Sequence, residues 1–324
     1  MIEFGDCRET MRRWAADGIH AQTCVTSPPY FGLRDYGHKD QIGLEQTPEE
    51  YIAALVEVFR CVRDILADDG TLWLNLGDSY DKGKQLLGMP WRVALALQGD
   101  GWLLRQDIIW HKPNPMPESI TDRCTKAHEY LFLLSKKERY FYDHTAIKEP
   151  AIGGLAGNKR PTKGARAYAE GAIEHRTQTG LHKWAERQRS ARDSFKREGS
   201  KRDVAIPGQT VGTHRQDRDE SEWDIDTRNK RSVWTVATRP YKGAHFATFP
   251  PDLIEPCILA GAPPGGTVID PFMGSGTVAE VCILNERQYL GCELNSEYEP
   301  LQAQRIADAT ERYEALAAQM ELFA

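Results

Sequence analysis

Apolar positions recur two apart in some stretches of the chain and three or four apart in others, and over the first 150 residues the two spacings take turns. Tyr51, Leu55, Val58, Val62 and Leu66 follow one another at helical spacing and give one apolar face to lay on a sheet. That helix has a readable start, with Thr47 as N-cap, Pro48 in the first position and Glu50 closing a capping box, and Asp68-Asp69-Gly70 is expected to end it. Residues 71–76, 108–110 and 130–134 read as strands, and 91–97 as a helix. A further strand, 25–27, should stop where Pro28 and Pro29 cannot continue a ladder. This alternation predicts an α/β sheet covered on both faces, with Trp14, Trp73 and Trp91 in its core.

Residues 151–230 break the pattern. Rich in Gly, Lys, Arg, Gln and Ser and poor in aliphatics, they cannot bury much core, and they read as an insertion ordered mainly by what it binds. Apolar patterning resumes at Ser232-Val233-Trp234. It returns to α/β from Leu253, with strands at 267–270 and 289–293, a glycine loop and helix at 274–284, and a final helix from about Ser296 to Met320. Three segments follow: 1–150, 151–231 and 232–324.

The chain has 324 residues, 40% hydrophobic and 27% charged, which excludes disorder throughout. No window approaches the roughly 18 apolar residues that a spanning helix needs, and the first six residues lack the basic start and apolar stretch of a signal peptide, so a cytoplasmic protein without membrane contact is expected. Seven scattered cysteines with no C-x-x-C spacing suggest neither a disulfide framework nor a metal site, and are expected reduced and mostly buried. The net charge of -6 argues against a nucleic-acid partner until its distribution is read. Residues 151–215 hold 14 Lys and Arg against 6 Asp and Glu, a basic island in an acidic protein.

Asp270-Pro271-Phe272-Met273-Gly274-Ser275-Gly276-Thr277 joins a strand to a helix start, the arrangement that brings a ligand close to bare backbone. Glu293 ends the next strand, where an acidic side chain can take both hydroxyls of a ribose. The spacing is not G-x-G-x-x-G and no P-loop lysine follows, so NAD and ATP are weaker candidates than a nucleoside without phosphates. S-adenosylmethionine fits, with its ribose on Glu293 and its methionine tail near Asp270 and Gly274. Turn geometry alone is the plainer alternative.

A second loop, Thr26-Ser27-Pro28-Pro29-Tyr30, follows a short apolar strand. At the carboxyl end of a parallel strand the Pro28 carbonyl can point outward unpaired, with the Ser27 hydroxyl as a second acceptor. Two acceptors could grip the two hydrogens of an amino group while Tyr30 stacks on the attached ring.

With both loops in hand, the chain resembles the bacterial DNA amino-methyltransferases, which methylate adenine N6 or cytosine N4. The order, catalytic loop first, basic segment next and cofactor loop last, is similar to their β group. Gly77-Asp78-Ser79, Trp110-His111-Lys112-Pro113-Asn114, Ala127-His128-Glu129-Tyr130 and His245-Phe246-Ala247-Thr248-Phe249-Pro250 agree with it. The resemblance covers residues 1–150 and about 233–300. It implies a Rossmann-like, S-adenosylmethionine-dependent methyltransferase fold, a mixed sheet with helices on both faces, plus an inserted target-recognition region. It also implies Ser27, Pro28, Pro29 and Tyr30 as catalytic residues. Asp270, Phe272, Gly274, Ser275, Gly276, Thr277, Glu293, Phe246 and Thr248 would surround the cofactor. Lys112, Arg187, Arg189, Arg192, Lys196 and Arg197 are the expected contacts to double-stranded DNA. A homodimer and a cognate restriction endonuclease are the further partners it raises. Many adenine enzymes carry Asp or Asn where this chain has Ser27; serine is more usual in cytosine-N4 enzymes without being confined to them, so the base stays open.

Transfer to an exocyclic nitrogen needs no covalent intermediate, and no cysteine here sits in the Pro-Cys-Gln context of a cytosine-C5 enzyme. The base must leave the duplex to be reached. Asp78 could border the pocket or cap a loop, His111 and Lys112 could touch phosphate or solvent, and His128 and Glu129 read as structural. Two rival functions are methylation of a protein glutamine and a DNA-binding module that has lost catalysis.

Overall fold

The computed structural model describes residues 1–151, 227–238 and 249–323. Among them, residues 1–148 and 229–324 make up one compact unit and residues 149–228 another. Of the second unit only two short antiparallel strands are described, Glu149–Pro150 and Thr227–Arg228.

The first unit is an α/β sheet. In chain order it contains β1 (Ile2–Phe4), α1 (Cys7–Ala16), β2 (Ala21–Thr26), α2 (Pro48–Ile65), β3 (Leu66–Leu76), α3 (Met89–Gly99), β4 (Leu103–His111) and β5 (His128–Ser135). After the second unit come β6 (Val233–Thr235), α4 (Pro251–Gly261), β7 (Thr267–Asp270), α5 (Thr277–Leu284), β8 (Gln288–Glu293) and α6 (Glu299–Phe323). The sheet order is β1-β8-β7-β2-β3-β5-β4-β6. Strands β1 through β3 in that order run parallel, β5 runs against both neighbours, and β6 lies parallel to β4.

Strand periodicity sorts the core into two layers. In β3, Leu72, Leu74 and Leu76 face a cluster with Met11, Leu55, Phe59 and Leu97 from α1, α2 and α3, while Trp73 faces the opposite cluster with Leu253, Ile258 and Val278 from α4 and α5. Phe132 and Leu134 of β5 join the first cluster, Leu131 and Leu133 the second. The apolar runs at residues 72–74 of β3 and 130–134 of β5 are what burial on both faces requires.

The start of α2 is as its residues predict, with Thr47 and Glu50 forming a reciprocal capping box. Its end is earlier than expected. Helix α2 stops at Ile65, Leu66 caps it, and the segment expected to close the helix already belongs to β3, which bulges where it meets β2. A β-carbon at Gly70 would approach the Ala67 carbonyl oxygen to 2.9 Å, so the glycine serves this bulge and not a helix end. Trp91 is also a correction: it is 37% exposed, its ring standing edge-on to Tyr130 and Phe132 at the surface. Trp14 and Trp73 are buried. Six of the seven cysteines are buried, Cys124 is exposed, and none is in a disulfide. Among the described residues no helix is long and apolar enough to cross a membrane.

Candidate active site

The parallel strands β2, β3, β7 and β8 end on one edge of the sheet, and β5, running the other way, begins there. Thr26, Leu76, Asp270 and Glu293 are the last residues of those four strands, and Glu129 is the second residue of β5. Loops leaving this edge surround a cavity of about 710 Å³, within the range of small-molecule sites. Ser27, Pro28, Pro29 and Tyr30 line it together with Phe272, Gly274, Ser275, Thr277 and Glu293. The two loops lie 240 residues apart in sequence, and the adjacency of β2 and β7 joins them. The Thr26 hydroxyl donates to Asp270 Oδ1 at 2.6 Å.

In the glycine loop, Glu293 receives the backbone N–H of Gly274 on Oε2 (2.7 Å) and that of Asn295 on Oε1 (2.9 Å). Each oxygen keeps a further lone pair for a ligand in the cavity. Gly274 and Gly276 have φ of 53° and 83°, left-handed values that favour glycine. A β-carbon on Gly274 would meet only the Phe272 carbonyl oxygen, 3.8 Å away, so the loop presents bare backbone to open space. Asp270 and Gly276 stand behind this wall and do not line the cavity. Asp270 accepts from Thr26 and from the Phe272 N–H (2.9 Å), which makes it a brace between the two loops. Burial pushes its carboxyl up to about 7 against those two hydrogen bonds, with the Glu293 charge adding to the rise. Burial likewise raises Glu293, opposed by the N–H groups of Asn295, Gly274 and Leu294.

Helix α6 holds the loop from outside. Gln302 donates to the Gly274 carbonyl (2.7 Å), and Arg305 donates to the Ser275 hydroxyl (2.6 Å) while pairing with Glu280. Both side chains are buried, and no spacing or motif in the sequence marks them, because they meet the loop only through packing. Gly5, Asp6 and Arg8, at the start of α1, also line the cavity unforeseen.

At the other end a polar network surrounds the Ser-Pro-Pro-Tyr loop. The Ser27 hydroxyl lies 3.3 Å from both the Tyr30 hydroxyl and Asn75 Oδ1. Tyr30 donates towards Glu129 Oε2 (2.8 Å) and Asn75 Oδ1 (3.1 Å), and Asn75 Nδ2 donates to the Tyr130 carbonyl, which fixes the amide with its oxygen inward. Burial, then the Glu129 charge, holds the Tyr30 phenol well above its ordinary range. Tyr51 donates to the Pro29 carbonyl (2.8 Å) and anchors the loop to α2.

Two expectations change here, and a third, left open between pocket and cap, is decided. Glu129, read as structural, lines the cavity and is ion-paired with Lys112. Lys112, expected on DNA phosphate, is largely buried, with its ammonium neutralised by Glu129 and 4.2 Å from the Trp110 ring centroid. Asp78 is a cap: its Oδ1 accepts from the Ser79 and Met89 N–H groups at the entry to α3. His111 is hydrogen-bonded to Thr235. His128 opens β5 with its ring edge-on to Tyr130. Phe246, Thr248, Arg187, Arg189, Arg192, Lys196 and Arg197 lie outside the described residues.

Comparison with known proteins agrees with this geometry. The model of the N6/N4 methyltransferase family, described as DNA methylase, matches residues 21–305. The chain is 40% identical to the type II methyltransferase M.XycI of Xanthomonas campestris pv. cyanopsidis, over 93% of this chain and 86% of that one. It is 39% identical to the type II methyltransferase M.SmaI of Serratia marcescens, over 94% and 90%. Among solved structures it resembles the cytosine-N4-specific PvuII DNA methyltransferase, with a TM-score of 0.59, 18% identity and coverage of 96% and 91%.

Proposed function

The chain belongs to the N6/N4 DNA methylase family, and from that premise we propose that it methylates the N4 amino group of cytosine at a specific site in duplex DNA. The observation that carries this reading is the single cavity lined by both the Ser-Pro-Pro-Tyr loop and the glycine loop. Ser27, in place of the Asp or Asn common in adenine enzymes, supports cytosine over adenine.

S-adenosylmethionine supplies the methyl group, bound to a sulfonium. Glu293, Phe272, Gly274, Ser275 and Thr277 are the residues placed to hold it, with lone pairs for ribose hydroxyls and bare backbone for close approach. Phe246 and Thr248 are assigned to its other side. Ser27 and the Pro28 carbonyl accept the two amino hydrogens of the base. The proton of Ser27 is directed inward to Asn75 or Tyr30, so the hydroxyl offers its lone pairs outward. Gripping both hydrogens favours a tetrahedral nitrogen and frees the lone pair otherwise delocalised into the ring. After the N–C bond forms, the nitrogen must lose a proton. Ser27 takes it and passes its own through the Tyr30 hydroxyl to the Glu129 carboxylate.

The base reaches this cavity only by leaving the helix, and Tyr30 then supplies stacking. Sequence recognition is assigned to residues 151–231, with Arg187, Arg189, Arg192, Lys196 and Arg197 meeting phosphates. A cognate restriction endonuclease accords with the type II names of the relatives.

The test is transfer of a labelled methyl group to unmodified duplex DNA, followed by digestion to nucleosides and mass spectrometry. N4-methylcytosine is expected. N6-methyladenine would overturn the base assignment, and label in protein with none in DNA would overturn the substrate.

A further inference from the structure

Met116 is 87% exposed, the most exposed of the large apolar side chains among the described residues. Single exposed apolar residues are common and by themselves mean little. This one lines the mouth of the same cavity as Ser27 and Tyr30. Its backbone is bracketed by Pro115 and Pro117, which restrict the chain on both sides. The loop is also clamped at its base: Asn114 Nδ2 donates to the Thr238 carbonyl (3.0 Å), the Thr238 N–H donates to Asn114 Oδ1 (3.0 Å), and the Thr238 hydroxyl donates to the Asn114 carbonyl (3.3 Å). A pliable apolar side chain is thus held out, on a restrained backbone, at the entrance to the cavity. Arg34 lines that cavity too and supplies positive charge suited to a phosphate backbone.

On the reading that a base leaves the duplex to enter this cavity, its departure opens a gap in the stack and leaves its partner unpaired. We propose that Met116 is the wedge that enters this gap, an interaction surface for the base stack and not for any groove edge. The chemistry matches: unstacking costs free energy that an inserted apolar side chain offsets, and proteins that kink DNA insert Met, Leu, Ile or Phe for this purpose. Methionine, unbranched and polarizable, fits against whichever bases flank the gap.

The site methylated by the wild-type protein is first mapped by sequencing DNA methylated in vitro; failure of the wild type to label DNA sinks the proposed function itself. Three duplexes carrying the mapped site are then compared: fully paired, with the target base mispaired, and with an abasic position opposite it. Met116→Ala should lower kcat/KM on the paired duplex at least tenfold, with cofactor affinity unchanged. On the mispaired and abasic duplexes, where the base is already loose, the deficit should shrink to less than about threefold, and Met116→Leu should retain most activity on all three. Wild-type rates for Met116→Ala on the paired duplex, or an equal deficit on all three, would overturn the assignment while leaving the methyltransferase reading in place.

Discussion

A β-carbon on Gly77 would fall 2.5 Å from Cε2 of Tyr30 and 2.9 Å from its Cδ2, so the bare backbone after β3 makes the seat in which the Tyr30 ring lies. That seat brings the phenol to Glu129 and Asn75 and keeps the ring beside the cavity. Gly77→Ala should therefore displace Tyr30. Expected are a loss of about 1 to 3 kcal/mol of stability from overpacking and a fall in methyl transfer of more than tenfold, with cofactor binding intact. Calorimetry for the cofactor beside single-turnover rates tests this; unchanged rates would show that the ring does not need this seat.

Lys112 and Glu129 form a largely buried pair, and removing one partner leaves the other charge uncompensated. Lys112→Met and Glu129→Gln should each destabilise the fold, by up to about 3 to 5 kcal/mol, whereas the double variant should recover part of that loss. Chemical denaturation of all four proteins completes the cycle. Strictly additive losses would mean the two charges do not act as a pair.

Glu293 ties its own strand end to the glycine loop through Gly274 and Asn295. Glu293→Ala should weaken S-adenosylmethionine binding by about 1 to 3 kcal/mol, the scale of a lost charge-assisted hydrogen bond, and also lower the melting temperature without cofactor. A variant with reduced affinity and an unaltered melting temperature would separate ligand contact from loop bracing.

Asp270 gives a pH dependence with a definite sign. Its carboxyl is raised from 3.8 to about 7 in the folded protein, so between those values the folded state holds a proton that the unfolded state has lost. Stability should therefore fall as pH rises from about 4, and the full penalty, of the order of 4 kcal/mol at most, is reached above about pH 7. Asp270→Asn keeps an acceptor for Thr26 and Phe272 but cannot ionise. The stability difference between wild type and variant should shift in favour of the variant as pH rises from 5 to 8. Parallel curves across that range would place the titration elsewhere.

The sequence by itself determined the α/β class, the start of α2, most strand positions and the two loops that carry the chemistry. These are local properties: apolar period, capping chemistry, proline stops and glycine turns act between residues a few positions apart. Where two local signals overlapped, at Leu66 to Gly70, the pairing of β3 with β2 decided, because a strand's ladder is made with distant residues. Trp91 reads as core by type, yet its place on α3 leaves it at the surface. Only the tertiary structure showed that Glu129 belongs to the site, since its partners Tyr30 and Lys112 come from other elements and meet it through the register of β5 against β3 and β4. The same holds for Gln302 and Arg305, which reach the glycine loop only because α6 packs back over it. Residue type and spacing announce what a loop can do; which side chains converge on it is set by sheet order, and sheet order is written in no single stretch of sequence.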